Sequence, residues 1–234
     1  MDLGKIEPFE ICSIRPPTEN FSLTFRLARN CGWNRCRFCP VYKEGAIFSR
    51  RSIEEVKQDV DRAKELDDLT ISYIPGVSSP GGGDYQGAER LIAEIKVAQA
   101  RAGKGDPARR KRDSRTEKGK GGIKPGEVDE RSSWFSTWFK NEPTIEDSIY
   151  HLLAWRMHGA QTCFLGDSDS LFLSPDFFAE AVNYIKGRFP TLNRFTVYGR
   201  TRSAVKKGLD EMKAFRAAGL DRIHFGIESG NDRV

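Results

Sequence analysis

The sequence predicts an α/β protein with a parallel sheet, and three observations carry that prediction. After residue 143, runs with a two-residue apolar period alternate with runs of helical period, the pattern of successive βαβ units. An earlier strand-like run leads through a cysteine-rich loop into a capped helix, so the first third has the same order. The chemically loaded segments 30–40, 166–170, 198–200 and 228–232 each lie at the end of a predicted strand. In parallel α/β folds those carboxyl ends face one rim, where sites collect.

Residues 1–20 form an N-terminal extension. In FSLTFRLARN (21–30), Phe21, Leu23, Phe25 and Leu27 recur at every second position, which predicts a strand. Ser52 and Glu55 make an S-x-x-E capping box, and Ile53, Val56, Val60 and Ala63 follow at helical spacing. Leu91, Ile92, Ile95 and Ala98 place a second helix over 85–101. From about 102 to 130 apolar periodicity stops, and Gly, Lys, Arg, Asp and Pro mark a flexible basic insertion. Trp134 and Trp138, like Phe135 and Phe139, are four apart and suit an aromatic helix face. Thr144 opens a helix through Met157, with Gly159 as its stop. QTCFLGD (161–167) is a short strand, and Ser174-Pro175 is an N-cap with proline at the first helical position. RFTVYGR (194–200) is the next strand, 202–218 the next helix with Gly219 as its stop, and RIHFGIESG (222–230) the last strand.

A chain that is 38% hydrophobic and 30% charged belongs with soluble globular proteins, not disordered or membrane-embedded ones. No apolar run approaches the roughly 18 residues of a membrane span, and MDLGKIEPFE has neither part of a secretory leader. The expected location is the cytoplasm, with no membrane partner; there, clustered cysteines serve metals or redox chemistry more often than disulfides. The net charge of +5 is uneven: residues 101–124 carry ten Lys/Arg against three Asp/Glu, a net of +7, leaving −2 for the rest. Such a run can bind phosphate backbones, which brings RNA in as a partner. It lacks interleaved aromatics to stack bases, however, so a solvated loop is the favoured reading.

Three of the five cysteines fall in NCGWNRCRFCP (30–40), spaced Cys31-x4-Cys36-x2-Cys39. Thiolates select zinc or iron–sulfur clusters over magnesium or calcium. Structural zinc takes four closed ligands, typically two short pairs, and no second pair is present. A cubane cluster can accept three thiolates from one loop and leave its fourth iron for a small-molecule ligand. Cys163, in an apolar run, reads as a buried small hydrophobe, Cys12 as structural or incidental and His224 as core or sheet surface.

On these residues the chain resembles the radical S-adenosylmethionine (radical SAM) superfamily, in a branch similar to the methylthiotransferases and coproporphyrinogen dehydrogenase. There the loop after the first strand carries three cluster cysteines with an aromatic residue before the third, which matches Cys31, Cys36, Cys39 and Phe38. The usual spacing is C-x3-C-x2-C; this chain has one more residue between the first two, while CRFCP keeps the second half. FLGDSD (164–169) resembles the segment that holds the amino group of the cofactor's methionine moiety, which assigns Gly166, Asp167, Ser168 and Asp169 to cofactor binding. FTVYGR resembles the third strand, where Arg200 reaches the cofactor or a substrate carboxylate, or else makes a surface ion pair. AGLDRIHFGIESGNDRV resembles the fourth, with Glu228 and Ser229 facing the ribose. The similarity covers 21–60 and 160–234, and 61–159 match nothing assignable.

The resemblance implies a partial parallel (β/α) barrel over 21–234. Relatives have six strand–helix units and four strands are countable here, so the core is expected to be cut short at its C-terminus. It also implies a [4Fe-4S] cluster on Cys31, Cys36 and Cys39, with S-adenosyl-L-methionine as cofactor. Reductive cleavage of that cofactor would give a 5′-deoxyadenosyl radical that abstracts hydrogen from an unidentified substrate, with electrons from a donor such as reduced flavodoxin or ferredoxin. Two other classes stay open: a non-catalytic iron–sulfur electron carrier, and a zinc-dependent nucleic-acid-binding module that uses 101–124.

Overall fold

The computed structural model describes residues 2–12, 14–36, 39, 41–42, 47–79, 82–103 and 143–227. Phe38, Glu228, Ser229, the basic stretch beyond Gly103 and the aromatic pairs at 134–139 lie outside the described residues. The centre is an open sheet of four parallel strands in the spatial order β1 (Leu23–Arg26), β4 (Thr162–Gly166), β5 (Arg194–Gly199) and β6 (Leu220–Phe225). Two short strands, β2 (Ala28–Arg29) and β3 (Ser49–Arg50), pair antiparallel beside it. Helices α1 (Ile53–Tyr73), α2 (Tyr85–Arg101), α3 (Ile145–Met157), α4 (Pro175–Arg188) and α5 (Thr201–Ala217) alternate with the strands. The expected α/β class and parallel sheet are present; the described strands do not close into a barrel.

Local signals set the helix starts. In α1 both arms of the capping box form: Glu55 N–H donates to Ser52 Oγ at 3.2 Å, and Ser52 N–H to Glu55 Oε2 at 2.8 Å. Thr144 caps α3 and Ser174 caps α4, the latter with Pro175 at the first helical position. Helix α1 continues to Tyr73, past the Ile53–Ala63 spacing that predicts it, because Leu66, Leu69 and Thr70 are buried and Asp67 binds Arg156 of α3 through both carboxylate oxygens. Helix α5 is interrupted at Gly208, whose φ of 71° has no place in an α-helix and needs a residue without Cβ.

Strand register sorts the side chains. Leu23, Phe25, Cys163, Leu165, Phe195 and Val197 share one face of the sheet and are buried against the helices. The alternate positions Thr24 and Arg26 point the other way and are buried too, at 0% and 2% exposure. Ile6, Phe9 and Cys12 of the first twenty residues pack into the core, and Cys12 N–H donates to Thr24 Oγ1 at 3.2 Å. Among the described residues, no helix is long and apolar enough to cross a membrane.

Candidate functional site

Register brings the four strand ends together: Arg26 of β1 pairs with Gly166 of β4, Leu165 of β4 with Val197 of β5, and Gly199 ends β5 beside Phe225 of β6. The cysteine loop leaves this rim after β2 and returns at β3, so the Ala28–Arg50 and Arg29–Ser49 pairs close its base. Leu27 N–H donates to Gly166 O at 2.9 Å, which extends β1 along β4 to the point where the loop departs. Cys12 packs under this junction, so close that a Cβ on residue 166 would stand 2.1 Å from its sulfur.

Beneath the loop lies a buried charge network. Asp167 Oδ2 accepts from Arg26 Nε at 3.0 Å and Nη2 at 2.5 Å, and also from the Asn30 N–H at 2.6 Å. Asp167 Oδ1 accepts from the Cys12 thiol at 3.2 Å. Both side chains of the Arg26–Asp167 pair are almost fully buried, and Glu10 lies 3.6 Å from Arg26 on another side. Burial alone would lower the Arg26 guanidinium's pKa, but Asp167, with help from Glu10, holds the group above its ordinary value. The Cys12 thiol is pushed well up by burial and by the Asp167 charge, so it is a proton donor here and no nucleophile. Arg51 adds a second buried pair with Asp59 at 2.6 Å and donates to Arg26 O at 3.0 Å.

The three loop cysteines are unbridged and half-buried; Cys163 is buried, as its apolar run predicts, and Cys12 is buried too. Cys31 Sγ accepts the Asn34 N–H at 3.4 Å, and the Cys39 N–H donates to Cys36 O at 3.4 Å. Among the described residues, no three His, Cys, Asp or Glu side chains are gathered closely enough to hold a metal ion. The donor set nevertheless fits a thiophilic metal: three accessible sulfurs in one loop, one of them already accepting an amide hydrogen bond.

Of the other predicted residues, Gly166, Asp167, Ser168, Asp169 and Arg200 all lie at this rim. Asp169 takes the Leu171 and Arg200 N–H groups at 3.2 and 3.3 Å and the Ser203 hydroxyl at 2.5 Å, which ties the end of β4 to the start of α5. Ser168 Oγ donates to Asn30 O at 3.3 Å. The Arg200 guanidinium lies over Trp33 of the cysteine loop, 4.5 Å from the ring centroid, with Arg35 at 5.3 Å. Sequence reading missed Arg26, Asn30 and Trp33. Arg26 occupies the polar phase of β1, where an arginine reads as solvent-facing, and nothing local marked the other two. No protein-family model, curated protein or solved structure matches the chain.

Proposed function

We propose that this chain is the core of a radical SAM enzyme, in which Cys31, Cys36 and Cys39 ligate a [4Fe-4S] cluster and S-adenosyl-L-methionine lies across the ends of β4 and β5. The observation that carries this reading is the shared rim: the only accessible cysteines among the described residues stand where β1, β4 and β5 end together. Bound there, the reduced cluster supplies the electron that cleaves the cofactor to methionine and a 5′-deoxyadenosyl radical for hydrogen abstraction. The parallel sheet is then part of a (β/α) barrel. A reduced flavodoxin or ferredoxin in the cytoplasm serves as electron donor.

The protein's own groups supply placement. The Asp167 and Asp169 carboxylates are taken by internal partners, so the cofactor's amino group is left to main-chain carbonyls of 166–169. The Arg200 guanidinium has no carboxylate partner among the described residues and is available to the cofactor's or substrate's carboxylate. Phe38, Glu228 and Ser229 keep the aromatic and ribose-facing roles that the resemblance gives them.

Anaerobic reconstitution with iron and sulfide, followed by electron paramagnetic resonance of the reduced protein, tests the reading. A cubane signal that shifts on adding S-adenosylmethionine and is absent in Cys36→Ala supports it. A cluster indifferent to the cofactor makes the chain an electron carrier. Stoichiometric zinc without a cluster overturns the proposal in favour of a zinc module.

A further inference from the structure

The polar groups under the cysteine loop converge on one side chain that touches both ends of it. Asn30 is 7% exposed, and all four of its polar groups are engaged. Its N–H donates to Asp167 Oδ2 at 2.6 Å, and its carbonyl accepts from Ser168 Oγ at 3.3 Å, which fixes it to the segment after β4. Its side-chain Oδ1 accepts from Arg26 Nη2 at 3.3 Å, and its Nδ2 donates to Ile47 O at 2.7 Å. Residue 30 is where the loop leaves, and residue 47 is where it comes back. A φ of 65°, in the left-handed region that asparagine tolerates better than most residues, lets the main-chain and side-chain bonds form together.

We infer that Asn30 is a positioning residue, a clasp that closes the cysteine loop onto the end of β4 with Asp167 and Arg26 as its seat. Cys31 follows the clasp directly, so its main chain starts from a fixed point, and Cys36 and Cys39 lie within the span the clasp closes. A ligand loop closed at its base has less disorder to lose when it takes up a metal. Asp167 thereby acts on the loop, with both of its oxygens engaged by internal donors. That the loop serves a cluster rests on the proposed function; the clasp is a property of the chain without any metal.

Hydrogen–deuterium exchange on the full metal-free chain, read by mass spectrometry, tests it. Asn30→Gly keeps the left-handed backbone and both main-chain bonds and removes the two side-chain bonds. Asn30→Asp keeps an acceptor for Arg26, loses the donor to Ile47 and sets a second carboxylate near Asp167. Asn30→Asp is expected to speed exchange over residues 27–36 about five- to tenfold, the factor supplied by one hydrogen bond of about 1–1.4 kcal/mol net, and Asn30→Gly, which loses two bonds, by at least as much. Amides in the C-terminal half of α4, at the far end of the helix from the rim, stay at the wild-type rate. Iron and sulfide uptake after reconstitution falls in both variants. Unchanged exchange over 27–36 in Asn30→Gly overturns the clasp. An equal acceleration in α4 also overturns it, because Asn30 then serves overall stability only. Wild-type protein that takes up no iron defeats the cluster reading, and the exchange data still decide the clasp.

Discussion

A β-carbon at residue 166 would stand 2.1 Å from Cys12 Sγ and 2.9 Å from its Cβ, so the glycine there is a matter of space. Gly166→Ala is expected to cost about 1–3 kcal/mol, the usual range for overpacking a filled core. Gly166→Ala combined with Cys12→Ala is expected to recover part of that loss, because the second change removes the atom in collision. Urea unfolding of the two variants checks both, and additive losses would contradict the clash. A larger effect belongs to Arg26. Replacing it with leucine leaves Asp167 buried and charged with only neutral donors, and about 3–5 kcal/mol is the expected cost of breaking such a pair. A loss below 1 kcal/mol in the same unfolding experiment would mean that water reaches the carboxylate.

Elements were legible where their determinants are local. The Ser52–Glu55 box, the Thr144 cap and the Ser174-Pro175 start are each written within four residues, and each stands where the sequence places it. The α1 box is on the surface, so Ser52→Ala is expected to cost about 1 kcal/mol in thermal or urea unfolding. Ser52→Asp, which keeps a capping oxygen, is expected to cost far less. The far end of α1 was not legible, because its last turns are held by α3 through Arg156 and Asp67, 89 residues apart in sequence. In β1 the alternation was legible but its meaning was half right. Thr24 and Arg26 occupy the polar phase and are buried all the same, covered from residues 6–12 and Asp167. The candidate site divides in the same way. The three cysteines and the segment 166–169 announce themselves by type and spacing. Asn30 has no such mark, since its four bonds reach residues 26, 47, 167 and 168 and exist only once the sheet has formed.

At the scale of the whole molecule, one buried histidine joins three parts of the fold. His151 on α3 is 8% exposed, and its Nε2 accepts the Thr24 N–H of β1 at 3.0 Å. Phe9 packs near its ring, and Arg15 approaches Nδ1 at 3.4 Å. Burial first, then the Arg15 charge, lowers its pKa from 6.5 to about 3. A base whose folded pKa is depressed adds stability above its unfolded pKa and loses it as the pH falls. Below pH 6.5 the unfolded chain binds a proton that the native one refuses, and stability drops by up to about 1.4 kcal/mol per pH unit. Between pH 6.5 and 5 the comparison with a non-titrating variant isolates this effect from other groups, such as the Asp59 carboxyl, which burial holds above its ordinary value. In that window the wild-type midpoint in urea is expected to fall steadily. His151→Gln, which can still accept the Thr24 N–H but does not titrate, is expected to be less stable at pH 7 and nearly flat down to pH 5. An unchanged slope in the variant would place the acid sensitivity elsewhere, and the junction of α3, β1 and the N-terminal segment would then not be its source.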